Sequence, residues 1–574
     1  MRLDRLPIPV LKTRFIRGGW DVLAFVLVFA FLIYVAEAAL GLTGSLARLE
    51  ATPISLAPSA LVGYAARTAL RMLIAMLASL LFTFTYATLA AKSRRAEVVL
   101  VPLLDILQSL PILGFSITIL FFLSLTPGRV AGAEMAAIFL IFTSQAWNMA
   151  FSFYHSLRSI PYELDEAARS FRLSPWMRFW RLEVPFAMPP LIWNMMMSMS
   201  GGWFFVVAAE AINVGNTKVT LPGVGSYVAL AIQQRNLGAI GWAIAAMFIV
   251  ILVYDQLLFR PLIASADWFR LEQEAGLTPS QSWALTMMRR SHFLGLVSRM
   301  FLGILNIGGR SAPQVTRPRD ADEGNGRRLG DFVWYTLIAL IGLVCLLKAV
   351  RFVFAEITPA EVGHVVLLGL ATFTRVAILI AIASLVWVPI GIYVGLRPRV
   401  ASIVQPIAQF LAAFPVNLIY PIVVSSIVLG RLNPDIWLSP LMILGTQWYI
   451  LFNVIVGASA IPPDMRYAGE NFHVRGWLWW KRIALPAVFP FYVTGAITAS
   501  GGSWNASVVS EVAEWGQQRL TATGLGSYIS HATDAGDFRR TVVGVVVMAL
   551  FVVVLNRLFW RPVFARAERK FRMT

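Results

Sequence analysis

Runs of about 20 apolar residues return along the whole of this chain, and one such run, as a helix, can cross a roughly 30 Å hydrocarbon core. With 58% apolar residues in 574, the chain stands well above the roughly 45–50% of soluble domains. The ten-residue alternating segments of a membrane β-barrel are absent, so the expected class is an all-α, polytopic membrane protein. Spans are expected near 21–41, 64–91, 97–123, 133–155, 184–212 and 237–262. A second set is expected near 332–355, 365–396, 401–430, 437–460, 484–513 and 540–562, twelve in all. The basic residues ahead of the first run (Arg2, Arg5, Lys12, Arg14, Arg17) and its length favour a retained span over a cleaved signal peptide.

Charge orients the spans. AAKSRRAE after the second span, LRPR after the eighth and RPVFARAERKFR at the end are all basic. They fall inside together only when both termini are cytoplasmic. The same rule accounts for the net charge of +18 without a nucleic-acid partner. Cys345, the single cysteine, cannot form an internal disulfide and reads as a packing residue. Met195, Met196, Met197 and Met199 have no His or Cys beside them and read as packing, so no metal site is expected.

The two sets of spans are copies. Pro185 and Pro486 close two 23-residue charged stretches, ELDEAARSFRLSPWMRFWRLEVP and DMRYAGENFHVRGWLWWKRIALP, at an offset of 301 residues. At that offset DQLLFRP (255–261) answers NRLFWRP (556–562), Gly223, Gly225 and Tyr227 answer Gly524, Gly526 and Tyr528, and Glu210 answers Glu511. Six spans per copy make the repeats parallel, related by an axis along the membrane normal. The expected domains are a first repeat over 1–266, a linker over 267–330 and a second repeat over 331–574. The linker's Gly, Pro, Ser and mixed charge mark a cytoplasmic tether. Its middle, SWALTMMRRSHFLGLVSRMFLGIL, also suits a basic amphipathic helix on the inner leaflet.

The charged stretches, 160–185 and 461–486, each fall between the fourth and fifth span of a repeat. Ser159 is placed to cap a short helix whose first turn carries Glu163, Asp165 and Glu166, acids suited to its positive end. Ser174-Pro175 starts a second helix. Leu164, Ala167 or Ala168 and Phe171 fall on one face, answered by Met465, Ala468 and Phe472. Small residues beside bulky aromatics, repeated at matching positions, fit a docking helix better than a solvated connector.

The stretches resemble the EAA loop of binding-protein-dependent ABC importer permeases. Glu166, Ala167, Ala168, Leu182, Val184 and Pro185 match in the first copy, and Ala468, Gly469, Ile483, Leu485 and Pro486 in the second. The motif's glycine is Arg172 here and His473 in the second copy, and its glutamate is Tyr467 there. A side chain at a left-handed turn costs about 1 kcal/mol, so a reshaped turn is expected. DILQSLPILGF (105–115), QPIAQFLAAFPVNLIYP (405–421), LPGVGSY and TGLGSY are similar to the nitrate, sulfonate, taurine and bicarbonate group of these permeases. The resemblance implies a fused pair of permeases in a bacterial inner membrane, with the type I importer fold. It also implies two copies of a cytoplasmic ATPase docked on the loops and a periplasmic or lipid-anchored solute-binding protein. The ATPase-docking set is Glu166, Ala167, Ala168, Phe171, Arg172, Tyr467, Ala468, Gly469, Phe472 and His473. No GxxxxGK[ST] sequence occurs in the chain, so ATP and magnesium belong to the partner, and no catalytic residue or cofactor is expected here.

Polar residues at membrane depth favour a cavity or the bundle interior. SMSGGW and ASGGSWN place Ser198, Ser200, Gly201, Gly202, Ser500, Gly501, Gly502 and Asn505 as pathway or hinge residues, with tight helix packing equally open. Asp105 and Gln108 read as helix-packing residues. Arg71, Arg375, Glu210 and Glu511 are expected near the outer mouth. The arginines there attract an anion or snorkel to headgroups, and the glutamates serve as structural or gate partners. A secondary transporter or channel with two six-span halves is the alternative class, and would leave the docking loops without a role. The expected substrate is a small oxyanion, by resemblance alone.

Overall fold

A computed structural model describes residues 19–42, 44, 53–109, 117–214, 217–266 and 325–571. Residues 1–18 and 267–324, with the amphipathic segment of the linker, lie outside the described residues. The described apolar runs are helical, as they must be: in hydrocarbon every backbone N–H and C=O must be satisfied within the segment. In chain order the first repeat supplies α1 (Gly19–Leu42), α2 (Ala60–Lys92), α3 (Arg94–Ser109), α4 (Ile117–Leu125), α5 (Val130–Arg158), α6 (Tyr162–Ser170), α7 (Pro175–Arg178), α8 (Val184–Ala209), α9 (Val224–Gln233), α10 (Leu237–Tyr254) and α11 (Arg260–Ala266). The second supplies α12 (Asn325–Phe354), α13 (Pro359–Gly395), α14 (Pro398–Ala413), α15 (Tyr420–Leu429), α16 (Pro434–Trp437), α17 (Leu441–Leu444), α18 (Gln447–Ser459), α19 (Pro463–Asn471), α20 (Gly476–Trp479), α21 (Leu485–Ser510), α22 (Leu525–Asp534), α23 (Phe538–Leu555) and α24 (Arg561–Phe571).

Among the described residues eight helices are long and apolar enough to cross a membrane, and ten when each of two bent pairs counts once. The ninth expected span is one such pair, bent by 67° between α14 and α15. Pro415 stands at the break, where it can neither donate a backbone hydrogen bond nor continue the helix. The tenth bends by 43°. Of the third expected span, α3 and α4 are described and residues 110–116 between them lie outside the described residues.

The duplication reaches below sequence level. A five-residue π-helical turn occupies Phe179–Glu183 and again Trp480–Ala484, and another occupies Asp255–Phe259 and again Asn556–Trp560. Each keeps the 301-residue offset. A π turn inserts one residue into the helix and so rotates everything beyond it. Between α8 and α9 lies an antiparallel hairpin, β1 (Ala211–Val214) with β2 (Thr217–Thr220), which pairs Ala211 with Thr220. Its counterpart after α21, β3 (Val512–Trp515) with β4 (Gln518–Thr521), pairs Val512 with Thr521. Two fully buried tryptophans, Trp203 and Trp504, anchor equivalent turns of α8 and α21.

The chain divides into two compact units. One takes in the described parts of 1–41, 155–193 and 253–320, and with them the first charged stretch. The other takes in 42–154, 194–252 and 321–574, with the second charged stretch and segments of both repeats.

Candidate functional site

In the first charged stretch α6 starts after Pro161, not from a Ser159 cap: the Ser159 hydroxyl donates instead to Ser156 O at 3.1 Å, closing the preceding helix. The helix ends in a paired closure in which Leu173 N donates to Ala168 O (3.1 Å) and Arg172 N to Arg169 O (2.8 Å). This two-bond closure requires a left-handed residue, usually glycine. Arg172 fills it at φ 52°. The second stretch repeats the arrangement, with Val474 N on Gly469 O (2.8 Å), His473 N on Glu470 O (3.0 Å) and His473 at φ 52°. The turn is therefore kept, not reshaped, and each copy carries a strained side chain where glycine would relax it. Ser174 does start the next helix, its hydroxyl accepting from Met177 N at 3.2 Å.

The two small residues in each loop do different things. Ala168 and Gly469 are buried, and a Cβ on Gly469 would meet Ile483 Cδ1 at 2.8 Å. They belong to the inward face. Glu166 and Ala167, like Tyr467 and Ala468, are exposed, and Phe171 and Phe472 are 79% and 80% exposed. Of the two alanines expected beside Phe171, Ala167 is the one that faces out with it, while Ala168 faces in. A phenylalanine held open on an ordered turn offers an apolar contact to another surface.

In the larger unit the sequence's four outer-mouth residues come together in two buried clusters. Arg71 Nη1 lies 2.6 Å from Glu210 Oε1, and its Nε and Nη2 clasp Glu134 at 2.5 and 2.7 Å. Glu210 also accepts from the Thr68 hydroxyl (2.7 Å) and from Gly225 N (2.7 Å), while Thr68 in turn accepts from Val224 N (3.0 Å). Arg71 is only 3% exposed, so its guanidinium is occupied by carboxylates and does not snorkel. In the second copy Arg375 joins Glu511 (3.2 Å) and Asp435 (2.7 Å), and Thr372 and Ser527 N satisfy Glu511 (2.7 and 3.0 Å). The LPGVGSY glycines follow from this. A Cβ on Gly223 would fall on the Glu210 carboxylate and one on Gly225 on the backbone of Val207; Gly524 and Gly526 stand likewise against Glu511 and Ser507. Each cluster thereby pins the hairpin and the start of α9 or α22 to the long second helix of its repeat. Glu134 and Asp435 escaped sequence reasoning, although their shared offset of 301 residues was there to be read.

The larger unit also encloses a cavity of about 250 Å³ lined by both repeats. Ser200, Gly201, Ser500, Gly501, Gly502 and Asn505 line it, whereas Ser198 and Gly202 do not. Ser198 is buried elsewhere, and a Cβ on Gly202 would fall on Gln145 and Met72. The glycine pairs therefore split their work: Gly201 and Gly501 face open space, while Gly202 and Gly502 allow close packing. Helices α8 and α21 run unbroken through them. Gln108, which donates to Asn148 at 3.2 Å, lines the same cavity, while the Asp105 side chain lies outside the described residues. Ser200 donates to Ala412 O and Asn417 to Phe204 O (2.8 Å), bonds that join the repeats at the cavity wall.

Comparison with known proteins matches two stretches, residues 80–259 and 387–560, to the binding-protein-dependent transport system inner membrane component family. A nitrate import permease protein of a Synechocystis species is 25% identical over 202 residues, which are 35% of this chain and 70% of the relative. A bicarbonate transport system permease protein of Synechococcus elongatus is 26% identical over 189 residues, 33% of this chain and 64% of the relative. A glycine betaine/carnitine transport permease protein of Listeria monocytogenes is 28% identical over 168 residues, 29% of this chain and 54% of the relative. The chain thus spans about two thirds of the first two relatives and about half of the third. With the family matched over more than half of the chain, and over both copies of the loop and of the hairpin, the chain belongs to the binding-protein-dependent inner membrane transport components as a duplicated permease.

Proposed function

We propose that the chain forms the whole translocation pathway of an ATP-driven importer for a small oxyanion. Twelve spans stand as two parallel sets of six, with both termini on the cytoplasmic side of a bacterial inner membrane. Two copies of a separate ATPase, which carry ATP and magnesium, engage the loops 160–185 and 461–486 through Glu166, Ala167, Phe171, Tyr467, Ala468 and Phe472. A periplasmic or lipid-anchored binding protein delivers the solute, and Arg71, Glu210, Arg375 and Glu511 hold the hairpins at the outer mouth. The observation that carries the reading is the paired docking loop, with an exposed phenylalanine beside a closed helix end in each copy. A secondary transporter has no use for such a pair. The oxyanion comes from the nitrate and bicarbonate permeases that this chain is similar to. The test is reconstitution in liposomes with and without a candidate ATPase and binding protein, following nitrate and bicarbonate uptake and phosphate release together. Uptake that needs all three components and ATP is expected. Uptake by the chain alone would replace this reading with the secondary-transporter one.

A further inference from the structure

The second charged stretch leaves one helix face uncovered. From Gly476 the chain runs through α20 and the π-helical turn Trp480–Ala484 into α21, one continuous helix to Ser510. Ala484 is buried, and Trp479 and Trp480 pack with it on the inward side. The other side presents Trp477, Leu478, Lys481, Arg482 and Leu485, with Trp477 74% and Leu478 51% exposed. Arg475 is exposed just ahead of them, and among the described residues none of Arg475, Lys481 and Arg482 has an ion-pair partner. The sequence beyond fixes the level of this face. Residues 483–510 carry no charged side chain, and as a helix they run about 42 Å, the roughly 40–45 Å of a bilayer with its headgroups. Lys481 and Arg482 therefore stand at the headgroup layer of one leaflet, with Glu511 at the opposite end.

We propose that this face is a binding site for an anionic phospholipid of the surrounding bilayer. Arg475, Lys481 and Arg482 meet the headgroup phosphate, Trp477 lies in the interfacial layer, and Leu485 meets the acyl chains. Arginine and lysine are both phosphate binders, and an indole, apolar in body and polar at one edge, suits the interface. A zwitterionic lipid brings its own ammonium group, so three unpaired cations favour a headgroup that carries net negative charge. The partner ATPase is the competing occupant. The centres of protein interfaces are poor in lysine, and Phe472, the contact given to that partner, lies across the left-handed residues His473 and Gly476 from this face. The first copy supplies the contrast. Its matching positions hold Ser174, Trp180 and Arg181, and Arg178 nearby is engaged by Asp165 and Glu183. Three cations against one assign the lipid to the second copy alone. The inference rests on the importer reading only for which leaflet the face meets, and bilayers alike on both sides test it without that reading.

The experiment places the full chain in phosphatidylcholine nanodiscs doped with a trace of phosphatidylglycerol that bears a diazirine on its acyl chain beside the glycerol, or with the matching phosphatidylcholine probe. After illumination and pepsin digestion, mass spectrometry reads the crosslinks on residues 472–489 and on 171–188. The phosphatidylglycerol probe should label 472–489 several-fold more than the phosphatidylcholine probe does, and unlabelled phosphatidylglycerol should compete saturably. Arg475→Gln, Lys481→Gln and Arg482→Gln should each lower that yield about fivefold, the factor for one basic residue at an anionic surface. Lys481→Arg should keep it, and Arg181→Gln should leave it unchanged. All of these positions are exposed, so the variants keep the fold. Equal labelling by the two probes, or a yield that the three glutamine variants combined do not lower, would overturn the proposal. Competition by inorganic phosphate or glycerol 3-phosphate in the buffer would replace the bilayer lipid with a soluble phosphate. Labelling that disappears when a candidate ATPase binds would give the face to that partner and overturn the proposal as well. An ATPase that never binds the chain would sink the importer reading and leave the lipid result standing.

Discussion

The same joint is made by charge in the first charged loop and by apolar packing in the second. In the first, Arg178 bridges Asp165 on α6 (2.7 Å) and the buried Glu183 in the π turn (3.1 Å). At the matching positions the second loop has Arg466, Trp479 and Ala484. There Ile483 and Trp479 pack onto Gly469, and Arg466 reaches the Leu396 carbonyl at 3.4 Å. The buried clusters differ in the same sense. Arg71 is 3% exposed between two carboxylates, whereas Arg375 leans on Asp435, which is 45% exposed. Duplication kept the geometry and let the chemistry of its fasteners diverge: what a repeat must preserve is shape, and ion pairs and apolar contacts can both fix it.

The largest difference should appear at the clusters. Arg71→Gln leaves Glu134 and Glu210 facing each other without their cation, and breaking a buried pair of this kind costs about 3–5 kcal/mol. Arg375→Gln should cost less, because it strands one buried carboxylate, Glu511, while Asp435 can turn to water. Thermal loss of monodispersity in detergent measures both. Equal losses would break the comparison.

Next come the loops. Ile483→Ala should open the second loop by about 2–3 kcal/mol, read as faster amide exchange across 463–471, with no effect on 162–170. Arg178→Ala should do the reverse, loosening only the first loop, by roughly 1 kcal/mol because the Arg178 side chain is 34% exposed. Raising the salt to about 1 M should mimic it in part, again in the first loop alone. A salt effect of the same size on both loops would contradict the assignment of their fasteners.

Much of this was legible in the sequence, and what was not has physical reasons. The 301-residue offset located the repeats, the loops and the paired glycines, because a duplicated fold repeats its constraints in order. Span limits were less legible: Pro415 does not say whether a helix kinks or stops, and the 67° bend depends on what packs around it. Ala167 and Ala168 looked equivalent, since a one-residue rotation of a nine-residue helix decides which faces in. The clusters were half visible. Arg71 and Glu210 were singled out, but their pairing waits on the hairpin returning α9 to α2.

The smallest effect should be equal in the two copies and so bounds the comparison from below. Arg172→Gly and His473→Gly each relieve a left-handed side chain, for a gain of about 0.5–1 kcal/mol per site. A gain at one site but not the other would show that the two turns, both at φ 52°, are held differently.

The claim on which the rest depends is that each loop carries one ATPase on its exposed phenylalanine. Purified chain bearing Phe171→Asp, Phe472→Asp or both can be captured with the partner ATPase, and the ratio of the two proteins read by quantitative mass spectrometry. The account predicts two ATPase copies on the parent chain, about one on either single variant and none on the double variant. A double variant that still holds two copies, or a single variant that loses both, would contradict it.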